Sequence, residues 1–367
     1  MNLTLLYQWT RVLEQHFTNL KKWQVTGLAL YSYGVVLARH CQISRVAEEL
    51  ARLARIPSLE RRLRRWLANR RINVEACCEQ WIRWVWSSLD APRAVLLVDE
   101  TKLGSRVGVM MVSLAYEHRA IPLIWRCYRA NSGLDYPAQG QVLMVWGLLA
   151  KVLAVLPPES RPLVQMDRGL GHSSAMLKAL RQLNVAFQVR VKQNATFTSR
   201  RGHTCLLRDL VKPDEAHTCH GSLFRFHKQV PVTVHLLWET GQSEPWCLAT
   251  NDREVYGAVY ALRVWQEASF RDLKSGGWQW QCSYVTTPDH ASRLILVLAV
   301  AYAWILTQGT FVLHASLHLQ REVFEGRLNK YSVFRSGLRF FKRMVDVNVR
   351  LIYVGLLFVP GFKPLRL

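Results

Sequence analysis

The chain has 367 residues, half of them hydrophobic, with 48 Lys and Arg against 26 Asp and Glu, a net charge of +22 and a pI near 10.1. So apolar a chain is globular rather than disordered, and its length allows two or three domains with a sizeable core. The basic excess points to a polyanionic partner, nucleic acid or an acidic membrane surface, and eight cysteines without a CxxC pair exclude a disulfide framework and suit a reducing compartment.

The start, Met1 to Arg11, lacks the charged opening and apolar stretch of a signal peptide. The longest apolar run, Leu294 to Leu306, falls short of the roughly 18–20 residues of a bilayer span. The expectation is a cytoplasmic protein with no membrane partner.

Residues 1–90 read as a helical, basic DNA-binding domain. Ile43 to Ala54 and Leu59 to Ala68 suggest two helices around a break at Ile56-Pro57-Ser58, with Ser58 as N-cap. The second helix puts Leu59, Leu63, Trp66 and Leu67 on one side. Arg61, Arg62, Arg64, Arg65, Arg70 and Arg71 lie elsewhere, as in a helix-turn-helix element presented to a DNA groove. The bland reading is a solvated arginine face. Adjacent Cys77 and Cys78 read as packing residues.

Residues 91–195 begin at Pro92. Ala94 to Val98 is an apolar run, a strand buried on both faces, that leads into Asp99-Glu100-Thr101. Strands are predicted at Val107–Tyr116, Ile121–Arg129, Pro162–Met166 and Ala186–Lys192, with helices at Ala138–Leu156 and Gly171–Leu183. The fourth strand ends in Asp167-Arg168-Gly169. Three antiparallel strands, a helix, a strand, a helix and a strand are similar to the order of an RNase H-like domain. There the first and fourth strands are central neighbours, which would bring Asp99 and Asp167 together. The fold class is thus α+β or α/β, a mixed central sheet flanked by helices. Glu100 competes with Asp99, but would point to the opposite face of an extended chain. The competing role for Asp167 is a helix cap.

Residues 196–245 read as a β-rich insertion, with strands at Phe197–Arg200, Cys205–Leu207, Ser222–His227 and Val230–Trp238. A hairpin there could gather His203, Cys205, His217 and Cys219 around zinc, with His220 nearby. The spacing matches no common finger, and buried cysteines beside exposed histidines are the alternative.

Residues 246–320 return to the central sheet through Trp246–Thr250. Tyr256 to Lys274 is predicted as a helix, stopped by Ser275-Gly276-Gly277. It carries Tyr260, Arg263, Glu267 and Lys274 within about 60° of one direction, with Leu262, Trp265, Phe270 and Leu273 as its buried side. A surface ion-pair ladder is the ordinary explanation of such a stripe. A buried apolar helix follows, Ala291 to Leu313. Residues 321–367 form a basic tail with Arg335, Arg339, Lys342, Arg343 and Arg350.

Tyr, two residues, Arg, three residues, Glu, six residues, Lys resembles the signature of the IS4-type DDE transposases. Asp-x-Thr at Asp99 and Asp-Arg-Gly at Asp167 are similar to that family's other two motifs. The resemblance covers about residues 94 to 275. It implies a catalytic and metal-binding triad of Asp99, Asp167 and Glu267. Three clustered carboxylates need cations to stay ionised, and hard oxygen donors suit two Mg²⁺ or Mn²⁺ ions.

The resemblance further implies DNA contacts by Tyr260, Arg263 and Lys274, and base stacking by Trp246, with Trp238 a weaker candidate. The spacing from Trp246 to Tyr260 is shorter than the family pattern leads one to expect. The implied activity is cut-and-paste DNA transposition through hairpin ends. Its partners are double-stranded terminal inverted repeats and target DNA, bound by a homodimer in the synaptic complex. The alternatives are a catalytically silent transposase-derived DNA-binding protein and a metal-dependent nuclease of the same fold.

Overall fold

A computed structural model describes residues 3–89, 94–130, 140–315, 331–346 and 354–356. Five helices come first: α1 (Leu3–His16), α2 (Lys22–Ala38), α3 (Ile43–Glu49), α4 (Ile56–Ala68) and α5 (Val74–Ser87). Helix α4 buries Leu59, Leu63, Trp66 and Leu67, as its apolar spacing predicts, and leaves its arginines in solvent. It starts at Ile56, not after Ser58. Pro57 falls in the first turn, where its missing N–H has no helical partner to lose, so Arg55 is the capping residue. The turn between α2 and α3 is tied to the chain beyond the predicted Glu267 helix, for Cys41 N–H donates to Trp278 O at 2.8 Å.

Next come β1 (Val95–Leu103), β2 (Val107–Tyr116), β3 (Arg119–Arg129), α6 (Gly140–Val155), β4 (Leu163–Met166), α7 (Arg168–Gly171), α8 (Ser174–Gln182) and β5 (Ala186–Arg190). After them run β6 (Thr196–Ser199), β7 (Thr204–Leu206), β8 (Ala216–Leu223), β9 (Val230–Leu237) and β10 (Trp246–Thr250). All ten strands form one mixed sheet in the order β3-β2-β1-β4-β5-β10-β9-β8-β6-β7. The first three are antiparallel neighbours, and β4 and β5 run parallel to β1. The molecule is therefore a mixed α and β fold.

The predicted insertion is not set apart. Its strands extend the central sheet through the pairing of β9 with β10. Its third strand was expected at 222–227 but runs from Ala216 to Leu223, and 224–229 is the turn into β9. The single helix expected from Gly171 to Leu183 is a short α7 followed by α8.

Every residue of β2 is buried, because the sheet is covered on both faces. Leu96 and Val98 face the main core, which is continuous from α1 to the last described helix, α11 (Val333–Asp346). Val95, Leu97 and Leu163 face a second cluster closed by Val255, Val259 and Leu262.

A tight 3₁₀ turn, Gly257–Arg263, leads into α9 (Val264–Leu273), and then comes α10 (Pro288–His314). Helix α10 is long and apolar enough to cross a bilayer, yet 94% of its apolar window is buried inside the protein. Pro92, Ala138 and Arg350 lie outside the described residues.

Candidate active site

The site begins with a difference in strand lengths. Pairing of β1 with β4 stops at Val98 opposite Met166, while β1 continues beside β2 as far as Leu103. Asp99 was expected at a strand end. It lies inside β1, but just past the end of its parallel neighbour, and so at the open edge that Asp167 also reaches. Glu100 points to the other face and meets Gln141, 3.4 Å away.

Asp167 caps α7, its carboxylate accepting the Leu170 N–H at 3.0 Å. A Cβ at Gly169 would lie 3.3 Å from both Asp167 oxygens, so the glycine of Asp-Arg-Gly leaves open space beside the carboxylate.

Tyr260, Arg263, Glu267 and Lys274 do not share one regular helix. Tyr260 and Arg263 belong to the 3₁₀ turn, Glu267 to α9, and Lys274 ends α9. The tighter turn lets the Tyr260 hydroxyl donate to Met166 O at 3.1 Å, beside Asp167. Arg263, 6% exposed, donates from Nη2 to Asp99 Oδ2 at 2.9 Å and sets Nη1 3.4 Å from Glu267 Oε1. Lys274 Nζ donates to Thr101 Oγ1 at 2.7 Å. Asp99, Asp167 and Glu267 thus lie toward one end of the sheet, near enough for the charges of Asp167 and Glu267 to act on Asp99, with a guanidinium between the first and the third.

The electrostatics follow from this arrangement. Burial pushes the Asp99 carboxyl up to about 6, against the pull of Arg263, and the negative charges of Asp167 and Glu267 add to the rise. Burial lowers Lys274, which Asp99 partly offsets. Burial raises the Tyr260 hydroxyl far enough to keep it a donor.

Among the described residues, no three Asp, Glu, His or Cys side chains converge closely enough to hold a metal ion as they stand. The donor chemistry nevertheless fits a hard divalent cation: three carboxylates, one of them destabilised chiefly by burial and further by the charges of the other two. The guanidinium occupies part of that space, and its buried Nε has no hydrogen-bond partner.

Trp246, half-buried, stands edge-on to Tyr260 at 5.5 Å with the Arg190 guanidinium 5.9 Å from its ring centre. Trp238 instead spends its indole N–H on Gln242 O. Arg61, Arg64 and Arg65 are exposed on α4, Arg64 pairing with Glu60 at 2.9 Å. Arg61 and Arg65 line a groove of about 680 Å³ with Trp23 and Trp66.

The structure does not gather the possible zinc ligands among the described residues. Cys205 on β7 is separated from β8, which carries Cys219, by the whole of β6, and His217 is taken up by Glu215 at 3.1 Å. His203 sits in the turn before β7, outside any metal cluster.

Two supports went unseen in the sequence. Glu244 accepts from Arg168 at 2.6 Å and Arg190 at 2.9 Å, which fixes the rim on which Trp246 stands. Asp272 on α9 forms a buried ion pair with Arg119, is hydrogen-bonded by Tyr302 at 3.1 Å, and sits beside Ser269, which accepts the Ala120 N–H. This network anchors the Glu267 helix to β3 and α10. An acid between buried Phe270 and Leu273 was its one trace in the sequence. No family model matches the chain, and no curated protein matches it in sequence.

Proposed function

We propose that the protein is a DNA transposase whose Asp99, Asp167 and Glu267 cut and join DNA strands with divalent metal ions. The observation that carries this reading is the placement of three acids from distant parts of the chain toward one edge of the sheet, two of them within electrostatic reach of Asp99, beside Arg263, Lys274 and Tyr260. The strand order β3-β2-β1-β4-β5 supports an RNase H-like catalytic core.

Asp99, Asp167 and Glu267 would hold the metal ions. When held there, two Mg²⁺ or Mn²⁺ ions would supply activation of the attacking oxygen and charge stabilisation at the leaving oxygen. The chain's own residues do the rest. Once Arg263 is released from Asp99, it and Lys274 bind phosphates beside the carboxylates. Trp246, braced by Arg190 and Tyr260, offers a face for a base turned out of the duplex. The arginines of α4 hold flanking DNA, and a dimer pairs two transposon ends.

The seat of Arg263 between Asp99 and Glu267 is the one observation that favours a catalytically silent DNA-binding relative. A duplex carrying the sequences that flank the coding region, incubated with Mg²⁺, separates the readings. Nicks followed by hairpin ends support a transposase, and Glu267→Gln removes both while DNA binding survives. Nicks without hairpins indicate a nuclease, and binding without Mg²⁺-dependent cleavage indicates the silent relative.

A further inference from the structure

On the face of the sheet that carries Asp99, a row of directly paired residues runs Leu97, Gln165, Gln188, Thr250, Thr233, His220. Leu97 is buried, as are Gln165, Gln188 and Thr250, the two glutamines bonding the segment that leads to Arg263. The row ends at a polar pocket of about 460 Å³ between β6, β8, β9 and the end of β10. Arg181, Arg200, Arg253 and His220 line it, and no carboxylate does. All four are exposed, and none of the three guanidinium groups has an ion-pair or side-chain hydrogen-bond partner among the described residues. Three clustered, unpaired guanidinium groups are an anion site, and their planar forks suit phosphate oxygens.

A second feature adjoins it. The turn 224–229 leaves the pocket-lining strands at Ser222 and returns at Gln229 and Pro231. It displays Phe226, 82% exposed at φ 52°, flanked by Arg225, His227 and Lys228. A phenylalanine held outward in a left-handed conformation buries nothing in this chain, and the backbone strain has no return from packing. Lys178, one helical turn before Arg181, fixes the turn by donating to His227 O at 2.8 Å. An aromatic ring amid cations beside a guanidinium pocket fits a nucleic acid, with backbone in the pocket and a base or sugar against the ring.

We infer that this pocket and the Phe226 turn form a second DNA-binding site, for the phosphodiester backbone of a duplex. The choice of duplex DNA rests on the transposase reading. Five strand spacings separate β1 from β8, about 24 Å across the sheet. The pocket lies toward the strand ends opposite those that carry Asp99 and Asp167, so the two sites are more than about seven base pairs of B-form DNA apart. The pocket therefore meets DNA well away from the carboxylates. Arg253, in the loop after β10, is part of both the pocket wall and the segment leading to Tyr260.

The test is fluorescence anisotropy with the full chain in EDTA, using a labelled duplex of about 30 base pairs of arbitrary sequence over a range of NaCl concentrations. The triple variant Arg181→Gln, Arg200→Gln, Arg253→Gln should reduce the slope of log K against log salt by about 2–3. Phe226→Ala should weaken binding with a smaller change in slope than the triple variant shows. All four side chains are exposed, so thermal unfolding should be unchanged. An unchanged slope in the triple variant overturns the inference. So does a loss confined to single-stranded RNA of equal length. Wild-type protein that never cleaves with Mg²⁺ but shows the slope change removes the catalytic reading and leaves the pocket standing. Cleavage with an unchanged slope does the reverse.

Discussion

Asp99→Asn should stabilise the metal-free protein at neutral pH while abolishing cleavage. The side chain is 13% exposed and its carboxyl titrates at about 6 against an ordinary 3.8. Below pH 3.8 the group is protonated whether the chain is folded or not. Between 3.8 and 6 the unfolded chain ionises it and the folded one does not, so stability falls as pH rises. Above about 6 the whole penalty is present, about 3 kcal/mol at 1.36 kcal/mol per pH unit. Asparagine has the same shape and no charge; its single amide oxygen can accept from Arg263 only by giving up the Glu100 N–H that Asp99 Oδ1 accepts at 2.8 Å, which offsets part of the gain.

The assay is urea unfolding in EDTA at about pH 4 and about pH 7.5, repeated with MgCl₂. The variant should gain up to about 3 kcal/mol at the higher pH and almost nothing at the lower. Mg²⁺ should then stabilise the wild type and not the variant, since only the former keeps the carboxylate. An asparagine variant less stable than wild type at neutral pH without metal would refute the reasoning, as would a gain independent of pH.

Other perturbations test the supports. Asp272→Ala strands the buried Arg119 guanidinium, so it should cost about 3–5 kcal/mol in urea unfolding; a loss under about 1 kcal/mol would mean that the network does not brace α9. At Gly337 a Cβ would lie 2.0 Å from Ile305 O and 2.9 Å from Gly309 N, both backbone atoms that cannot yield alone. Gly337→Ala should thus part α10 from α11 and cost about 1–3 kcal/mol or more, and an unchanged urea midpoint would show that the helices accommodate it. Trp246→Ala should slow hairpin formation more than first-strand nicking in a time course resolved on denaturing gels. Equal slowing of both steps would leave Trp246 a packing residue.

What was legible in the sequence had a local cause. The apolar run before Asp99 breaks where β1 loses its parallel neighbour, so the acid showed as the end of a hydrophobic pattern. The face of α4 was readable because Leu59, Leu63, Trp66 and Leu67 repeat at helical spacing. The misreadings had causes beyond the local pattern. Residues 257–263 carry a helix-like pattern, but the Tyr260 hydroxyl bond to Met166 O comes with a tighter turn. Strand β8 is half-exposed, and its Ala-His-Thr-Cys-His-Gly-Ser has no hydrophobic alternation to mark it. Glu244 is one acid in the loop before Trp246. Its role appears only when Arg168 and Arg190, far apart in sequence, arrive on either side of it.

Arg263 illustrates the limit most clearly, because spacing gave its position but not its company. Under the transposase reading it was a phosphate ligand. In the folded chain without DNA it lies between Asp99 and Glu267, doing for two carboxylates what a metal ion would do. The two roles are compatible if they alternate. Removing the guanidinium alone would leave Asp99 buried beside two other negative charges, so the empty site needs a cation of some kind. Arg263 stands where the 3₁₀ turn passes into α9, with Nε unpartnered and only Nη1 and Nη2 engaged. Its swing toward a phosphate would therefore break two contacts and no backbone bond. Metal ions entering with DNA would replace the charge that leaves, so the arginine that stabilises the resting site would become available for substrate only when substrate and metal arrive together.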